Sequence, residues 1–279
     1  MAVVRIVTDS AASLSADVAA RYNITIVPLH VQFGMESFAE GVTITPAEFY
    51  RRMEQNELPT TSLPAPGAVA EIYRRLKAEA DQIISVHVMG RASGTLGTAA
   101  LAVSLCPDQD ISIFDSETLS LGEGLLALLA AQAAAMGKAR EEILAQLQEA
   151  RERVHVFAAL PSVSHLVRGG RVTRGQGVLA SMLAIKPILN LSGGAVEVID
   201  RVRTFPRALD RVVQLMEQAV GQRRVRLGVV HTNAREQAEA WLESIRERFN
   251  VVDTIVADAG LVLAAQVGLG VLGLAALEE

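Results

Sequence analysis

The strongest constraint on the fold is the alternation of short apolar runs with longer helical patterns in the first half of the chain. Runs rich in Val and Ile have the length of buried strands, and they lie at 3–7, 24–33, 83–89 and 111–114. Apolar residues recur at helical spacing at 14–21, 46–55, 66–80, 95–104, 121–136 and 139–151. Strands that alternate with helices build a mostly parallel sheet covered by helices. We therefore predict an α/β fold for this half.

The pattern changes after about residue 152. Strand-like segments such as VHVFAAL, AVEVIDRVR and VRLGVVHT now follow one another, and some are separated only by short turns such as SGG at 192–194. Helical patterns are predicted at 206–220, 234–248 and 261–276. Strands joined by short turns favour a mixed sheet. We predict two domains, an N-terminal α/β domain at 1–154 and a C-terminal α/β domain at 155–279.

Charge and cysteine content exclude several classes of protein. The net charge of −5 argues against a nucleic-acid-binding protein, which carries a strongly basic face. The single cysteine, Cys106, excludes an internal disulfide and fits a reducing compartment. The N-terminal residues lack the basic and apolar regions of a signal peptide, and polar residues interrupt the long apolar stretches. We predict a cytoplasmic protein without a membrane span.

Polar residues follow three of the predicted strands. The segments are TDS at 8–10, GRASGTLGTA at 90–99 and DSET at 115–118. Because the carboxyl ends of parallel strands share one edge of a sheet, these residues are expected to meet at one rim, where ligands bind. Ser, Thr and Asp are also the preferred caps of helices. Both interpretations remain open for Ser10, Asp115 and Ser116.

The loop at 90–99 is the best candidate for a binding site. It matches neither G-x-G-x-x-G nor G-x-x-x-x-G-K-[ST] and contains no lysine, which argues against a nucleoside triphosphate. Ser93 stands where a strand passes into a helix, so the backbone N–H groups of Gly94 and Thr95 favour an anion. A second hydroxyl cluster, with Thr61 and Ser62, lies in TTSLPAPG at 60–67. A single carboxylate needs only hydroxyls and N–H donors, which these two segments supply.

Signals for catalysis and metal binding are weak. The sequence has no H-x-x-x-H or C-x-x-C spacing for a metal and no G-x-S-x-G nucleophile elbow. We therefore predict no metal and no cofactor. One alternative is an enzyme, a hydrolase or phosphotransferase that uses Ser93 or Asp9, and it requires a base within hydrogen-bond reach of Ser93. A basic loop with Arg168, Arg171 and Arg174 is either solvated or meets an acidic or phosphate-bearing partner.

Five segments of the sequence, taken in order, resemble the DegV family of bacterial fatty-acid-binding proteins. They are VTDSAASL, TSLPAPG, SGTLGTA, DSETLSLGEG and VRGGRV followed by LAIKPIL. Each segment is weak by itself, but the five in family order are specific. The resemblance implies a two-domain α/β protein that holds one long-chain fatty acid in an apolar tunnel, with the C-terminal domain closing the tunnel.

The resemblance also implies roles for individual residues. The fatty-acid carboxylate would be bound by Thr61 and Ser93, supported by Ser62, Gly94 and Thr95. Arg171 would contact a separate ATP-dependent fatty-acid kinase, which converts the bound acid to an acyl phosphate. The protein itself would then be a non-catalytic subunit with no cofactor, touching membranes only transiently to exchange lipid. A lipid sensor that acts without a kinase is a further alternative.

One position departs from the family pattern. Where the family commonly has H-x-G-P-G, this chain has QVGLG, so Gln266 stands in place of the histidine. An amide still donates a hydrogen bond but cannot become a cation. Either Gln266 joins the carboxylate site, which then holds the acid with neutral donors alone, or the ligand or its use by a kinase has changed.

Overall fold

The computed structural model describes residues 2–170 and 185–279 of the chain. The strands are β1 (Val4–Asp9), β2 (Ile24–Val27), β3 (His30–Phe33), β4 (Glu36–Ala39), β5 (Thr60–Ser62), β6 (Gln82–His87), β7 (Asp110–Asp115), β8 (Val154–Ala159), β9 (Lys186–Asn190), β10 (Glu197–Val202), β11 (Arg224–His231), β12 (Asn250–Asp258) and β13 (Leu272–Glu278). The α-helices in the described ranges are α1 (Ala16–Arg21), α2 (Pro46–Glu54), α3 (Pro66–Leu76), α4 (Thr95–Ser104), α5 (Leu121–Ala135), α6 (Arg140–Arg151), α7 (Ser164–Gly169), α8 (Phe205–Val220), α9 (Arg235–Ile245) and α10 (Leu261–Val267).

The first half of the chain forms a parallel sheet of four strands in the order β2-β1-β6-β7. Ile6 of β1 is paired with Ile24 on one side and Ile84 on the other. β-Branched residues of this kind pack well between the helices that cover such a sheet. The predicted α/β fold is confirmed, and the carboxyl ends of β1, β6 and β7 lie at one rim.

The second half forms a mixed sheet of six strands in the order β10-β9-β8-β13-β11-β12. β11 and β12 are parallel, and the other neighbouring strands are antiparallel. Gly193 and Gly194 have φ of +74° and +75° in the turn between β9 and β10, a conformation that favours glycine. The mixed sheet is thus confirmed, while the exact boundary between residues 154 and 155 stays a prediction.

Two predicted elements are wrong in detail. The helix expected at 261–276 ends at Val267, and residues 272–278 form β13 in the interior of the six-stranded sheet. Gly268 and Gly270 end the helix with φ of +86° and +74°. A uniformly apolar run such as LGLAAL at 272–277 fits a strand buried on both faces as well as a helix. The run at 24–33 is two strands, and β3 joins a small antiparallel sheet, β4-β3-β5, that was not predicted.

Helix α5 packs between the two larger sheets and connects their cores. A methyl group at Gly124 would lie 2.4 Å from the backbone oxygen of Ala12, and one at Gly122 would lie 2.6 Å from Val156. The helix therefore approaches both halves of the chain where only glycine fits. Glu123, fully buried between these glycines, accepts a hydrogen bond from the Thr8 hydroxyl at 2.9 Å. Burial, aided by the nearby charge of Asp9, raises the pKa of Glu123 well above its usual value.

Candidate functional site

A cavity of about 270 Å³ lies between the rim of the parallel sheet and one face of the mixed sheet. Val156, Ala158 and Leu160 line it at alternate positions, because successive side chains of a strand point to opposite faces. Helix α10 supplies a further wall with Val262 and Leu263. The walls are thus mainly aliphatic, with small and branched side chains from both halves of the chain.

The site residues predicted from the sequence meet at this cavity. Two hydroxyls come from β5, three residues come from the start of α4, and one comes from α10. All six line the cavity, and they are Thr61, Ser62, Ser93, Gly94, Thr95 and Gln266. Their positions are separated by up to 205 residues in sequence, so the tertiary structure alone brings them together. Arg171 and Arg174 lie outside the described residues.

Two hydrogen-bonded pairs organise these polar side chains. The amide Nε2 of Gln266 donates to Thr61 Oγ1 at 2.9 Å. Ser93 Oγ lies 2.7 Å from Thr95 Oγ1 and accepts from the Thr95 N–H at 3.3 Å. Because Thr61 accepts from Gln266, its own hydroxyl hydrogen is available to a ligand. The N–H of Thr95, predicted to be free, is already partly used by Ser93.

Gln266 also packs closely against helix α7. Its Oε1 atom is buried without a hydrogen-bond partner among the described residues. A methyl group at Gly169 would lie 2.5 Å from this oxygen, so glycine at the end of α7 makes room for the amide. The amide is therefore fixed between β5 and α7.

The described part of the cavity lining is nearly free of charge. It contains no Lys, Arg, Asp or Glu, and its one titratable residue is His231. A ligand group placed beside Thr61 and Ser93 would meet hydroxyls, an amide and the positive end of the α4 dipole. This arrangement suits a single weakly charged acceptor such as a carboxylate.

Asp9 is committed to a structural network. Its carboxylate accepts from the N–H groups of Ala11 at 3.0 Å and Val88 at 3.1 Å, and it lies 2.9 Å from Nδ1 of His87. Nε2 of His87 lies 2.8 Å from the hydroxyl of Ser85. Asp9, His87 and Ser85 have the residue types of a catalytic triad, but all three are fully buried. We interpret them as a core network that holds the strand ends together.

Ser93 lacks the partner that an enzyme would require. Its hydroxyl is paired with Thr95, and the described residues place no histidine or carboxylate within hydrogen-bond distance of it. The hypothesis of a hydrolase or phosphotransferase therefore gains no support from the geometry around Ser93.

A half-buried carboxylate that the sequence did not reveal lies at the start of α10. Glu40 accepts a hydrogen bond from the Ser10 hydroxyl at 2.6 Å and another from the N–H of Leu261. The pKa of Glu40 is raised to about 7, mainly by burial. The negative charge of Asp258 raises this pKa further. Glu40 thereby connects the helix that carries Gln266 to the N-terminal half of the chain.

Neither a cluster of metal ligands nor a membrane-spanning helix is found among the described residues. Residues 2–170 and 185–279 contain no group of three or more His, Cys, Asp or Glu side chains placed to hold a metal ion. Over the same ranges, none of the helices has the length and apolar character needed to cross a bilayer.

Comparison with known proteins agrees with the sequence motifs. Residues 3–279 match a family model described as "Uncharacterised protein, DegV family". A DegV domain-containing protein of Halalkalibacterium halodurans is 34% identical over 277 residues, 98% of each chain. Protein DegV of Bacillus subtilis is 31% identical over 274 residues, which are 97% of this chain and 98% of that protein.

Solved structures extend the similarity to the whole fold. DegV of Bacillus subtilis, described as a fatty acid binding protein, superposes with a TM-score of 0.91 at 30% identity over 100% of both chains. A DegV family protein of Thermus thermophilus, whose structure describes fatty acid binding, gives a TM-score of 0.90 at 30% identity, again over 100% of both chains. With the five motifs, the family model and the common fold in agreement, the chain belongs to the DegV family.

Proposed function

We propose that this protein binds one long-chain fatty acid in the cavity between its two larger sheets. The observation that carries the proposal is the cavity itself, with aliphatic walls and a polar cluster formed by Thr61, Ser93 and Gln266. The relatives from Bacillus subtilis and Thermus thermophilus, described as binding fatty acids, support it. In this proposal the chain is divided at 154/155 into two domains, and the second closes the lipid tunnel.

The proposed carboxylate site uses neutral donors. Thr61 and Ser93 donate their hydroxyl hydrogens to the carboxylate, and Ser62 and the N–H of Gly94 complete the set. Thr95 supports Ser93 by donating its own hydroxyl hydrogen to it. The dipole of α4 favours the negative charge at its N-terminus. Gln266 orients Thr61 through the hydrogen bond of 2.9 Å, so that the threonine hydrogen is directed to the ligand.

The acyl chain supplies most of the binding free energy. Each methylene buried against aliphatic walls contributes about 0.8 kcal/mol. The free energy gained by burying a long acyl chain is therefore larger than the loss of a single hydrogen bond at the carboxylate, which is worth about 1 kcal/mol. Changes at the polar cluster should weaken binding without abolishing it.

We further propose that the protein is a non-catalytic carrier that presents the carboxylate to a separate ATP-dependent fatty-acid kinase. The family resemblance assigns Arg171 to the contact with this kinase. Transient contact with a membrane would load the acid, and the scarcity of cysteine fits a cytoplasmic location. Adding such a kinase and ATP should yield an acyl phosphate, and Arg171→Ala should reduce its formation while fatty-acid binding persists. A sensor that acts without a kinase would give no acyl phosphate.

Native mass spectrometry of the protein purified without added lipid tests the central proposal. We expect one bound long-chain fatty acid per chain, identified after denaturing extraction. An empty cavity that also fails to take up added octadecanoic acid would refute the proposal.

Two neighbouring threonines supply a matched pair of variants. Thr61→Val removes a hydroxyl from the cavity, and we expect affinity for octadecanoic acid to fall about tenfold. Thr60→Val removes the exposed hydroxyl that precedes it on β5 and should leave the affinity unchanged. Equal affinities of the two variants would exclude Thr61 from the carboxylate site.

A further inference from the structure

The cavity reaches the surface of the protein at the start of α4. Of the described residues that line it, Leu63 and Gly94 are exposed, whereas the others are buried or half-buried. A methyl group at Gly94 would lie 2.7 Å from Cδ1 of Leu63, so this leucine packs directly against the first turn of the helix. Leu63 and Gly94 therefore mark an opening of the cavity, beside Ser93 of the polar cluster.

An exposed side of α4 continues from this opening. Residues three and four apart lie on the same side of a helix, and we call the side formed by Gly94, Gly97, Leu101 and Leu105 the α4 face. Leu101 and Leu105 are 59% and 48% exposed, and a methyl group at Gly97 would meet no atom within 4 Å. At 1.5 Å per residue, the α4 face extends about 16 Å from the opening.

The α4 face has no charged residue. A helix side that faces water normally carries charged and polar side chains. The sequence of α4, TLGTAALAVS, contains no Asp, Glu, Lys or Arg, and its other exposed residues, Ala100 and Ser104, are small. Exposed leucines on an uncharged side that begins at a cavity opening indicate an apolar binding partner.

Positive charge lies at the cavity end of the α4 face. Arg91 is exposed and belongs to the same loop as Ser93. At the other end, Arg74 of α3 donates from Nη2 to the backbone oxygen of Leu105 at 2.9 Å, but it also pairs with Glu71 at 3.5 Å. A guanidinium group beside an apolar surface is complementary to a lipid bilayer, because it binds the phosphates of the headgroups.

We propose that the α4 face docks on a lipid bilayer, and that fatty acids pass between the bilayer and the cavity at Leu63 and Gly94. The inference rests on the proposed fatty-acid site and adds the surface through which the ligand enters. Leu101 and Leu105 insert into the apolar layer, and their burial supplies the free energy of docking. The acyl chain then moves along an uncharged surface and does not cross water.

Flotation with phospholipid vesicles tests this surface. Vesicles of phosphatidylcholine and phosphatidylglycerol in a 3:1 ratio give the partition coefficient of the unmodified protein. Leu101→Glu removes a half-exposed leucine from the α4 face and adds a charge, so we expect partition to fall about tenfold or more. Met35→Glu is the matched control, since it replaces a fully exposed residue in the turn between β3 and β4 and should leave partition unchanged.

The rate of ligand transfer separates docking from binding. Transfer of a fluorescent fatty acid from the same vesicles should be about tenfold slower to Leu101→Glu than to Met35→Glu. The Kd for octadecanoic acid, measured without vesicles, should be equal in both variants because neither residue lines the cavity. Should Leu101→Glu fail to fold, Gly97→Glu replaces it, since its side chain begins in open space.

Two kinds of failure are distinguishable. Equal partition of Leu101→Glu and Met35→Glu, or no vesicle binding by the unmodified protein, would overturn this inference and point to a protein partner for the α4 face. Failure of the unmodified protein to bind octadecanoic acid without vesicles would overturn the proposed function as well.

Discussion

Replacing Glu40 by Gln tests whether the carboxylate at the start of α10 makes the stability of the protein depend on pH. Glu40 is held by the Ser10 hydroxyl and the Leu261 N–H in a half-buried position. Glutamine has the same shape and retains an oxygen for the Leu261 N–H. The substitution therefore removes the ionisation while it keeps the packing between the two halves of the chain.

The magnitude follows from the pKa of Glu40, which burial raises from 4.5 to about 7. Below about pH 4.5 the carboxyl is protonated in both the folded and the unfolded chain, and its contribution to stability is fully present. Between pH 4.5 and 7 the unfolded chain releases this proton while the folded chain retains it, so the free energy of unfolding falls. At about 1.4 kcal/mol for each tenfold change in proton concentration, the loss reaches about 3 kcal/mol above pH 7.

Urea denaturation of both proteins at several values between pH 4.5 and 8 measures this loss. We expect the stability of the unmodified protein relative to Glu40→Gln to fall by up to about 3 kcal/mol over that range. The exposed Glu247 provides the control, because Glu247→Gln should show no such trend. A difference between the unmodified protein and Glu40→Gln that stays constant with pH would refute the reasoning.

Two further predictions concern packing and the ligand site. Gly124→Ala should destabilise the protein by about 1–3 kcal/mol in urea, since its methyl group would lie 2.4 Å from a backbone oxygen. In Gly97→Ala the new methyl group lies in open space on a helix, so this substitution should instead stabilise the protein by up to about 1 kcal/mol. A Gly124→Ala variant more stable than Gly97→Ala would contradict this account. Gln266→His should make octadecanoic acid bind more tightly as the pH falls from 8 to 6, because an imidazolium forms beside the carboxylate. The unmodified protein should bind with constant affinity over that range, and an identical profile for both would argue against a position beside the carboxylate.

Much of the candidate site can be predicted from the sequence because its residues lie in segments whose local sequence pattern is distinctive. Ser93 and Gly94 lie where a strand passes into a helix, and Thr61 lies in a proline-bounded segment with clustered hydroxyls. Those features depend on neighbours within a few residues. The order in which the family's motifs occur along the chain then connects segments that local sequence patterns do not relate to one another.

Other parts of the site carry no local signal. Glu40 is an ordinary acidic residue in the sequence, and only the approach of α10 buries it and raises its pKa. His231 is the last residue of β11, and in the sequence this position is equally typical of a histidine buried in the core. Its orientation depends on its contacts with Ala234 and Asp258. Contacts between residues distant in sequence decide both cases.

The sequence by itself determined the α/β class, the change from a parallel to a mixed sheet and the identity of the hydroxyls at the cavity. Its alternating pattern was sufficient because a buried strand and an amphipathic helix differ in period. The tertiary structure alone decided that LGLAAL at 272–277 belongs to an interior strand, since a uniformly apolar run shows neither the period of a helix nor that of a strand. It also decided that Thr61 and Gln266 meet at 2.9 Å, because that contact depends on how α10 packs against the small sheet β4-β3-β5.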